Sequence, residues 1–191
     1  MTVLNEQEGL LRRPPPGSFL AAPLAPALPE RQRTLPEVVL RPFSVADLDE
    51  VFSHLSDPAS VHIAGLTLRE PGNRAEFDAA WRKVLADSEL QIRAVLADGQ
   101  FAGHVACYRF QGDWEVGYWI ARRWWGKGVA SEALRQLLAV APQRPLNAHV
   151  LVDNIRSLRV LRKHGFQTTG QTPAFAWGRR KEVMVEILRL D

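Results

Sequence analysis

The chain has 191 residues, 46% of them hydrophobic, enough for one domain with a buried core and an extension. Its net charge is only +3, arginine supplies twenty of its 24 basic residues, and no block of five or six like charges occurs, so electrostatics alone names no partner. The lone Cys107 excludes an internal disulfide framework and fits a reducing cytoplasm, while histidines at 54, 62, 104, 149 and 164 lack the spacing of a metal site.

Residues 1–36 hold seven of the 13 prolines and almost no periodic apolar pattern, and so read as an extension. Within it Leu11-Arg12-Arg13 ahead of Phe19-Leu20-Ala21-Ala22 has a passing likeness to a twin-arginine export signal. Pro14, Pro15 and Pro16 follow the arginines directly, and Pro23 and Pro26 break the apolar run, so a cytoplasmic location is expected. No stretch approaches the length of a membrane-spanning helix.

From Glu37 the texture changes. Val38–Arg41 predicts a short strand stopped by Pro42. Ser44 with Asp47 three residues on predicts a capped helix whose apolar stripe is Val45, Leu48, Val51, Phe52 and Leu55. A second helix is expected from Asn73, paired with Glu76 and facing inward through Phe77, Ala80, Trp81, Val84 and Leu85. Strands over 91–97 and 101–110 meet at Asp98-Gly99, a strong hairpin signal. Gln111-Gly112-Asp113 turns the chain into a fourth strand, Trp114–Ile120. A helix follows Gly128, a strand covers Leu146–Val152, and a helix runs from Asn154 to His164 with Gly165 as its stop. Two last strands, 172–177 and 181–190, are joined through Gly178. This order predicts one mixed α/β domain, 37–191, around a single sheet.

The chemistry concentrates in Trp114–Ile120 and the following Trp125-Gly126-Lys127-Gly128-Val129-Ala130-Ser131-Glu132. A strand that passes through a glycine loop into a helix makes a phosphate site, because the first helical N–H groups lack partners and the helix dipole is positive there. Two familiar motifs do not fit. A P-loop needs glycine at 121 and Ser or Thr after the lysine, where Ala121 and Gly128 stand. A dinucleotide fingerprint wants Gly or Ala where Ser131 stands, and a parallel βαβ unit instead of a meander.

The stretch resembles the pyrophosphate loop of the GNAT superfamily of N-acetyltransferases. That loop reads Gln or Arg, two residues, Gly, one residue, then Gly or Ala; Gly128 and Ala130 match, with Trp125 in the Gln/Arg place. Tryptophan there is similar to the RimJ/RimL-like branch of ribosomal-protein N-terminal acetyltransferases. Leu40-Arg41-Pro42 with Asp47, Ser56-Asp57-Pro58, Glu115–Trp119, Asn154-x-x-Ser157, Lys163-x-Gly165-Phe166 and Gly178–Glu182 extend the likeness over about residues 37–191.

The resemblance implies an acyl-CoA N-acyltransferase fold whose sheet splays between the fourth and fifth strands. It implies acetyl-CoA as co-substrate, no metal, and acetyl transfer to a primary amine, either a protein N-terminus or a small molecule. The cofactor set it implies is Trp119, Ile120, Trp125, Gly126, Lys127, Gly128, Val129, Ala130, Ser131 and Asn154, with backbone N–H groups near Trp119–Ile120 holding the oxyanion. Asn154 is equally a good helix N-cap. Glu115 is either a solvated strand carboxylate or the general base, since an alkyl amine with a pKa near ~10 must lose a proton before attack. His104 and His149 are rival bases, although buried structural histidines are commoner. Ser157 is the nearest hydroxyl to the place, filled by Leu161, where many relatives carry an acid tyrosine. Ile155, Leu158 and Leu161 are expected in the core. Among Arg122, Arg123, Lys127, Arg156, Arg159, Arg162 and Lys163 the phosphate partners are open. The expected assembly is a monomer or homodimer with no membrane and no specific nucleic-acid partner. The rivals are a silent acyl-CoA-binding module and an acetyltransferase acting on aminoglycosides or metabolite amines.

Overall fold

Two tight turns organise the centre of the sheet. In the computed structural model, which describes residues 35–191, β2 (Gln91–Ala97) and β3 (Gln100–Phe110) meet at Asp98 and Gly99, with φ of 49° and 73°. Gln111 and Gly112 repeat the arrangement at 52° and 93° between β3 and β4 (Asp113–Ile120). Two successive left-handed residues give the turn whose twist suits antiparallel strands. All but the last two residues of the predicted extension lie outside the described residues.

The sheet continues through β5 (Leu146–Leu151), β6 (Gln167–Ala176) and β7 (Lys181–Leu190), and with β1 (Val38–Pro42) its order is β1-β2-β3-β4-β5-β7-β6. Every neighbouring pair is antiparallel except β4 and β5, which are parallel and touch at one position, Glu115 opposite Asn147. By contrast β3 and β4 stay paired from Gly103–Ile120 to Phe110–Asp113. The expected splay is therefore present, and it opens immediately beyond Glu115.

Helix α4 (Val129–Val140) crosses β1–β4 and meets α5 (Ile155–Lys163) over the main core. Val105, Cys107, Leu134, Leu137, Leu146, Leu158 and Leu188 are each no more than 2% exposed there. A buried leucine of this kind contributes about 1.5–3 kcal/mol. Helices α1 (Leu48–Leu55) and α3 (Arg74–Ala86) cover the opposite face through Val51, Phe77 and Trp81, packed on Phe43, Ile92 and Phe101. Ile92 and Val95 alternate between the two cores, as side chains on a pleated strand must.

The helices depart from expectation in three places. The one expected at Ser44 opens as a 3-10 turn, Val45–Asp47, and Val45 is 71% exposed instead of part of the stripe. Asp47 bends the chain there: its carboxylate accepts from the Ser44 N–H at 2.8 Å and from Arg41 at 2.5 and 2.8 Å. A further helix, α2 (Pro58–Ala64), lies between the two that were expected. Its start is written in Asp57-Pro58, for Asp57 accepts from the Ser60 N–H at 2.9 Å and proline suits the first helical turn. Asn73 caps α3 as expected, but Glu76 accepts from the Arg69 N–H instead of closing a box. The role of Gly178 also differs: a Cβ there would lie 2.4 Å from the Val61 carbonyl oxygen. Its N–H donates to the Gly65 carbonyl at 3.0 Å, which seats the β6–β7 turn on α2.

Candidate active site

The loop into α4 is shaped by its glycines. Gly126 and Gly128 have φ of 71° and 81°, and a Cβ at Gly126 would meet nothing within 4 Å, so conformation demands glycine there and not space. Gly128 caps α4 without a side chain, and Glu132 is the first residue to bond back, to the Gly128 carbonyl at 3.0 Å. The N–H groups of Val129, Ala130 and Ser131 are thus left for a ligand. Trp125 braces the loop: its indole N–H donates to the Ile120 carbonyl at 2.7 Å, and the Arg156 guanidinium lies over its ring at 5.1 Å.

A cavity of about 420 Å³ lies between this loop and α5. Nine of the ten residues predicted to hold the cofactor stand on its wall; Lys127 does not, its ammonium lying over the Trp124 ring at 4.8 Å. Arg156 and Arg159 are the cations on that wall. Others named from sequence are engaged elsewhere: Arg122 with Asp57 at 3.3 Å, Arg123 with the Phe101 carbonyl at 2.8 Å, Arg162 with Glu186 at 2.5 Å. Ser131 bonds His164 through its hydroxyl at 3.0 Å, which leaves its N–H as the group offered to a ligand.

A second cavity, about 610 Å³, passes through the gap between β4 and β5. The two share Ala64, Tyr118, Trp119, Asn154 and Ser157 as a common wall. Asn154 does cap α5, accepting from the Ser157 N–H at 3.3 Å, and it faces both spaces at once. The Tyr118 hydroxyl donates to the Ser157 carbonyl at 3.3 Å, and burial pushes its pKa up to about 12. Leu158 and Leu161 are buried as expected, and Leu161 also touches the second cavity. Ile155 is 48% exposed, against expectation, because the first turn of α5 borders the cleft instead of resting on the core.

Glu115 sits where β4 and β5 part, 4% exposed on the wall of the second cavity. Its carboxylate lies against Nδ1 of His149, a residue two positions beyond its β5 partner Asn147 and so on the same face. The His149 side chain keeps 27% of its surface open against 5% for Glu115. Tyr108 stands directly opposite Glu115 on β3, its ring lying over the space that a side chain at Gly117 would fill. Burial raises the Glu115 pKa, and His149 and the Tyr108 hydroxyl oppose that rise. The Phe110 ring meets His149 edge-on at 5.9 Å. His104, the other rival base, packs on Trp81 and Phe43 and is not on either cavity wall.

The backbone of β4 alternates across the gap. Ala121 N–H donates to the Ala102 carbonyl at 2.8 Å, and the Trp119 carbonyl is pressed against Gly103, where a Cβ would come within 1.9 Å. Trp119 therefore spends its backbone groups on β3, whereas Tyr118 and Ile120 turn theirs toward the cleft. Of Trp119 and Ile120, Ile120 is the one whose N–H turns to the gap, and that of Tyr118 does the same. The Trp119 indole N–H is buried on the shared wall with no protein partner. Free helical amides, two arginines and an unpaired indole donor suit a ligand that carries phosphates at one end and carbonyls at the other. Among the described residues no group of three His, Cys, Asp or Glu side chains is placed to hold a metal.

The fold and the loop define an acyltransferase of the CoA-binding kind. The chain belongs to the GNAT acetyltransferase family, whose acetyltransferase (GNAT) domain matches residues 37–167, and it is an acetyl-CoA-dependent N-acetyltransferase. Solved structures of the same fold include the spermidine N-acetyltransferase from Vibrio cholerae in complex with CoA and spermine. It is 18% identical, over 80% of this chain and 94% of that one, with a TM-score of 0.67. RimL, the ribosomal L7/L12 alpha-N-protein acetyltransferase in complex with coenzyme A, is 16% identical over 80% and 93%, with a TM-score of 0.67. A ribosomal-protein-alanine N-acetyltransferase from Brucella melitensis is 19% identical over 80% and 98%, with a TM-score of 0.64. No curated protein matches the chain in sequence. No helix among the described residues is long and apolar enough to cross a membrane.

Proposed function

We propose that the protein transfers the acetyl group of acetyl-CoA to a primary amine by direct attack while both are bound, with residues 37–191 as the catalytic domain. The observation that carries this reading is the common wall: two cavities, one under the α4 amides and one beside Glu115, meet at Tyr118, Trp119, Asn154 and Ser157. Strands β6 and β7, mostly beyond the family match, supply the far wall of the second cavity and belong to the same domain.

In this reading the amides of 129–131, with Arg156 and Arg159, hold the pyrophosphate, and Asn154 holds the pantetheine arm. The bound thioester supplies an activated acyl group. Glu115 and His149 act as a dyad. The more open imidazole takes the proton from the ammonium, and the buried carboxylate orients the ring and stabilises the imidazolium. The Ile120 and Tyr118 N–H groups stabilise the oxyanion, a contribution of ~10²–10³ in rate for one such donor. Ser157 gives a proton to the departing thiolate. A silent binding module has no use for a carboxylate–histidine pair on the wall of the second cavity, and so is the weaker reading. Peptide N-termini come first among acceptors, on the branch resemblance. An acetyl-CoA assay over N-terminal peptides, polyamines, aminoglycosides and amino acids tests the proposal; acetylation of hydroxyls alone, or of no amine, overturns it.

A further inference from the structure

The start of α4 and the end of α5 meet at one hydrogen bond, between the Ser131 hydroxyl and Nε2 of His164 at 3.0 Å. Ser131 stands on the wall of the first cavity and carries the last of the three α4 N–H groups left without a helical partner. On α5, Arg156 and Val160 are on the same wall, and His164 follows them at the four-residue spacing that keeps one face of a helix. The backbone of His164 closes α5, its N–H donating to the Leu161 carbonyl at 2.9 Å, so the ring has no part in that cap. The charged groups that face the ring are Lys163 beside it and Glu132 and Arg135 on α4, the last two paired with each other at 2.6 Å. Burial and Lys163 lower the His164 pKa from its ordinary value near ~6.5, so the ring is neutral at pH 7 in the unliganded chain.

The direction of that hydrogen bond depends on a proton. A neutral imidazole with a bare Nε2 takes the serine proton, and the hydroxyl then has none to give a ligand. An imidazolium can only donate, which makes the Ser131 oxygen the acceptor and releases its O–H to the cavity. We propose that His164 is a positioning residue for the cofactor's pyrophosphate: once protonated it adds a cation at the start of α4 and, through Ser131, a hydroxyl donor beside the three amides. The inference rests on the reading that the pyrophosphate lies over residues 129–131, and it makes binding of the diphosphate take up a proton. The sign follows from linkage. A bound anion raises the His164 pKa, so affinity is greatest below the pKa of the unliganded chain and is lost as pH rises through that of the complex. Each unit of rise is a tenfold ratio between the two limits.

The probe is dephospho-CoA, whose diphosphate diester keeps a constant charge between about pH 5.5 and pH 8, so that only the protein titrates. Calorimetric titration of the full chain is expected to give a dissociation constant ~10-fold lower at pH 5.5 than at pH 8. Near pH 6.5, heats measured in buffers of different ionisation enthalpy should show net proton uptake. His164→Gln should bind at every pH as weakly as the parent does at pH 8, without proton uptake. Ser131→Ala should lose half or more of the slope of log Kd against pH, and Ser131→Thr, which keeps the hydroxyl, should retain it. A parent affinity that does not change with pH, a His164→Gln slope equal to the parent's, or a full slope in Ser131→Ala overturns the inference. Gly128→Ala separates the two levels. Weaker binding of the probe in that variant, beside a flat parent profile, keeps the pyrophosphate over α4 and sinks the role of His164 alone. Unchanged binding in Gly128→Ala removes the underlying reading, and this inference with it.

Discussion

Glu115 and His149 meet on one face of the sheet, where β4 and β5 part. A carboxylate 4% exposed is costly to keep charged, and Nδ1 of His149 lies against it. Glu115→Gln is expected to lower kcat by ~10²–10⁴, with CoA affinity nearly intact. His149→Gln should do the same, and the double variant should lose little more than either single one, as groups acting as a unit do. Steady-state kinetics with CoA titrations checks this; full activity in His149→Gln would return the base role to Glu115 acting directly. The acid limb of kcat/KM should lie above the ordinary carboxylate range, since burial raises the Glu115 pKa and the dyad works only when deprotonated. At Ser157 the expected effect is smaller. A thiolate whose conjugate pKa is near about 8.5 leaves fairly well unaided, so Ser157→Ala should cost ~10-fold or more in kcat with little change in acceptor KM.

At the scale of elements, α4 and α2 play separable parts. Gly128 holds the αL conformation that starts α4, with φ 81°. A Cβ there costs on the order of 1 kcal/mol, so Gly128→Ala should weaken CoA binding several-fold while leaving the acceptor KM alone. Gly178 works at the other cavity, where the β6–β7 turn rests on α2. Because Ala64 on α2 and Thr172 to Ala174 on β6 face one another across that space, Gly178→Ala should prise the wall apart at the Val61 carbonyl. The expectation is an acceptor KM raised roughly tenfold with CoA affinity unchanged, since small misplacements of positioning elements are costly. Isothermal titration with CoA beside acceptor kinetics separates the two variants.

For the molecule as a whole, two histidines, His54 on α1 and His104 on β3, make stability depend on pH between about 6.5 and 4. Burial lowers the pKa of His54, and the surrounding protein pushes that of His104 down to about 4. Both stay neutral in the folded chain but take up protons near pH ~6.5 when unfolded. A depressed folded pKa makes stability greatest above about 6.5 and erodes it as pH falls toward 4. His104 alone accounts for up to ~3 kcal/mol of that loss. Urea unfolding at pH 7.5 and pH 5 should show the drop, and His104→Phe should flatten it. CoA at a hundred times its dissociation constant should raise the unfolding free energy by about 2.7 kcal/mol, and the urea midpoint with it.

Turns, the loop into α4 and the helix caps were legible from residue order because their causes are local. Asp98-Gly99 needs two positive φ angles, Gly128 needs a third, and Asn154 finds its partner three residues along the chain. The family and its acetyl-CoA chemistry were legible for the same reason, being written in contiguous motifs. Helix α2 carries a local signal as well, the Asp57 cap followed by Pro58. What residue order could not contain was set by parity and distance across the sheet. The single β4–β5 pair at Glu115 and Asn147 puts Glu115 and His149 on one face, 34 positions apart in the chain. It also decides that Tyr118 and Ile120, and not Trp119, turn their backbone groups to the gap. The second cavity is likewise a tertiary fact: its walls come from α2, β3 to β7 and α5, and only their packing brings Glu115 and His149 onto one of them.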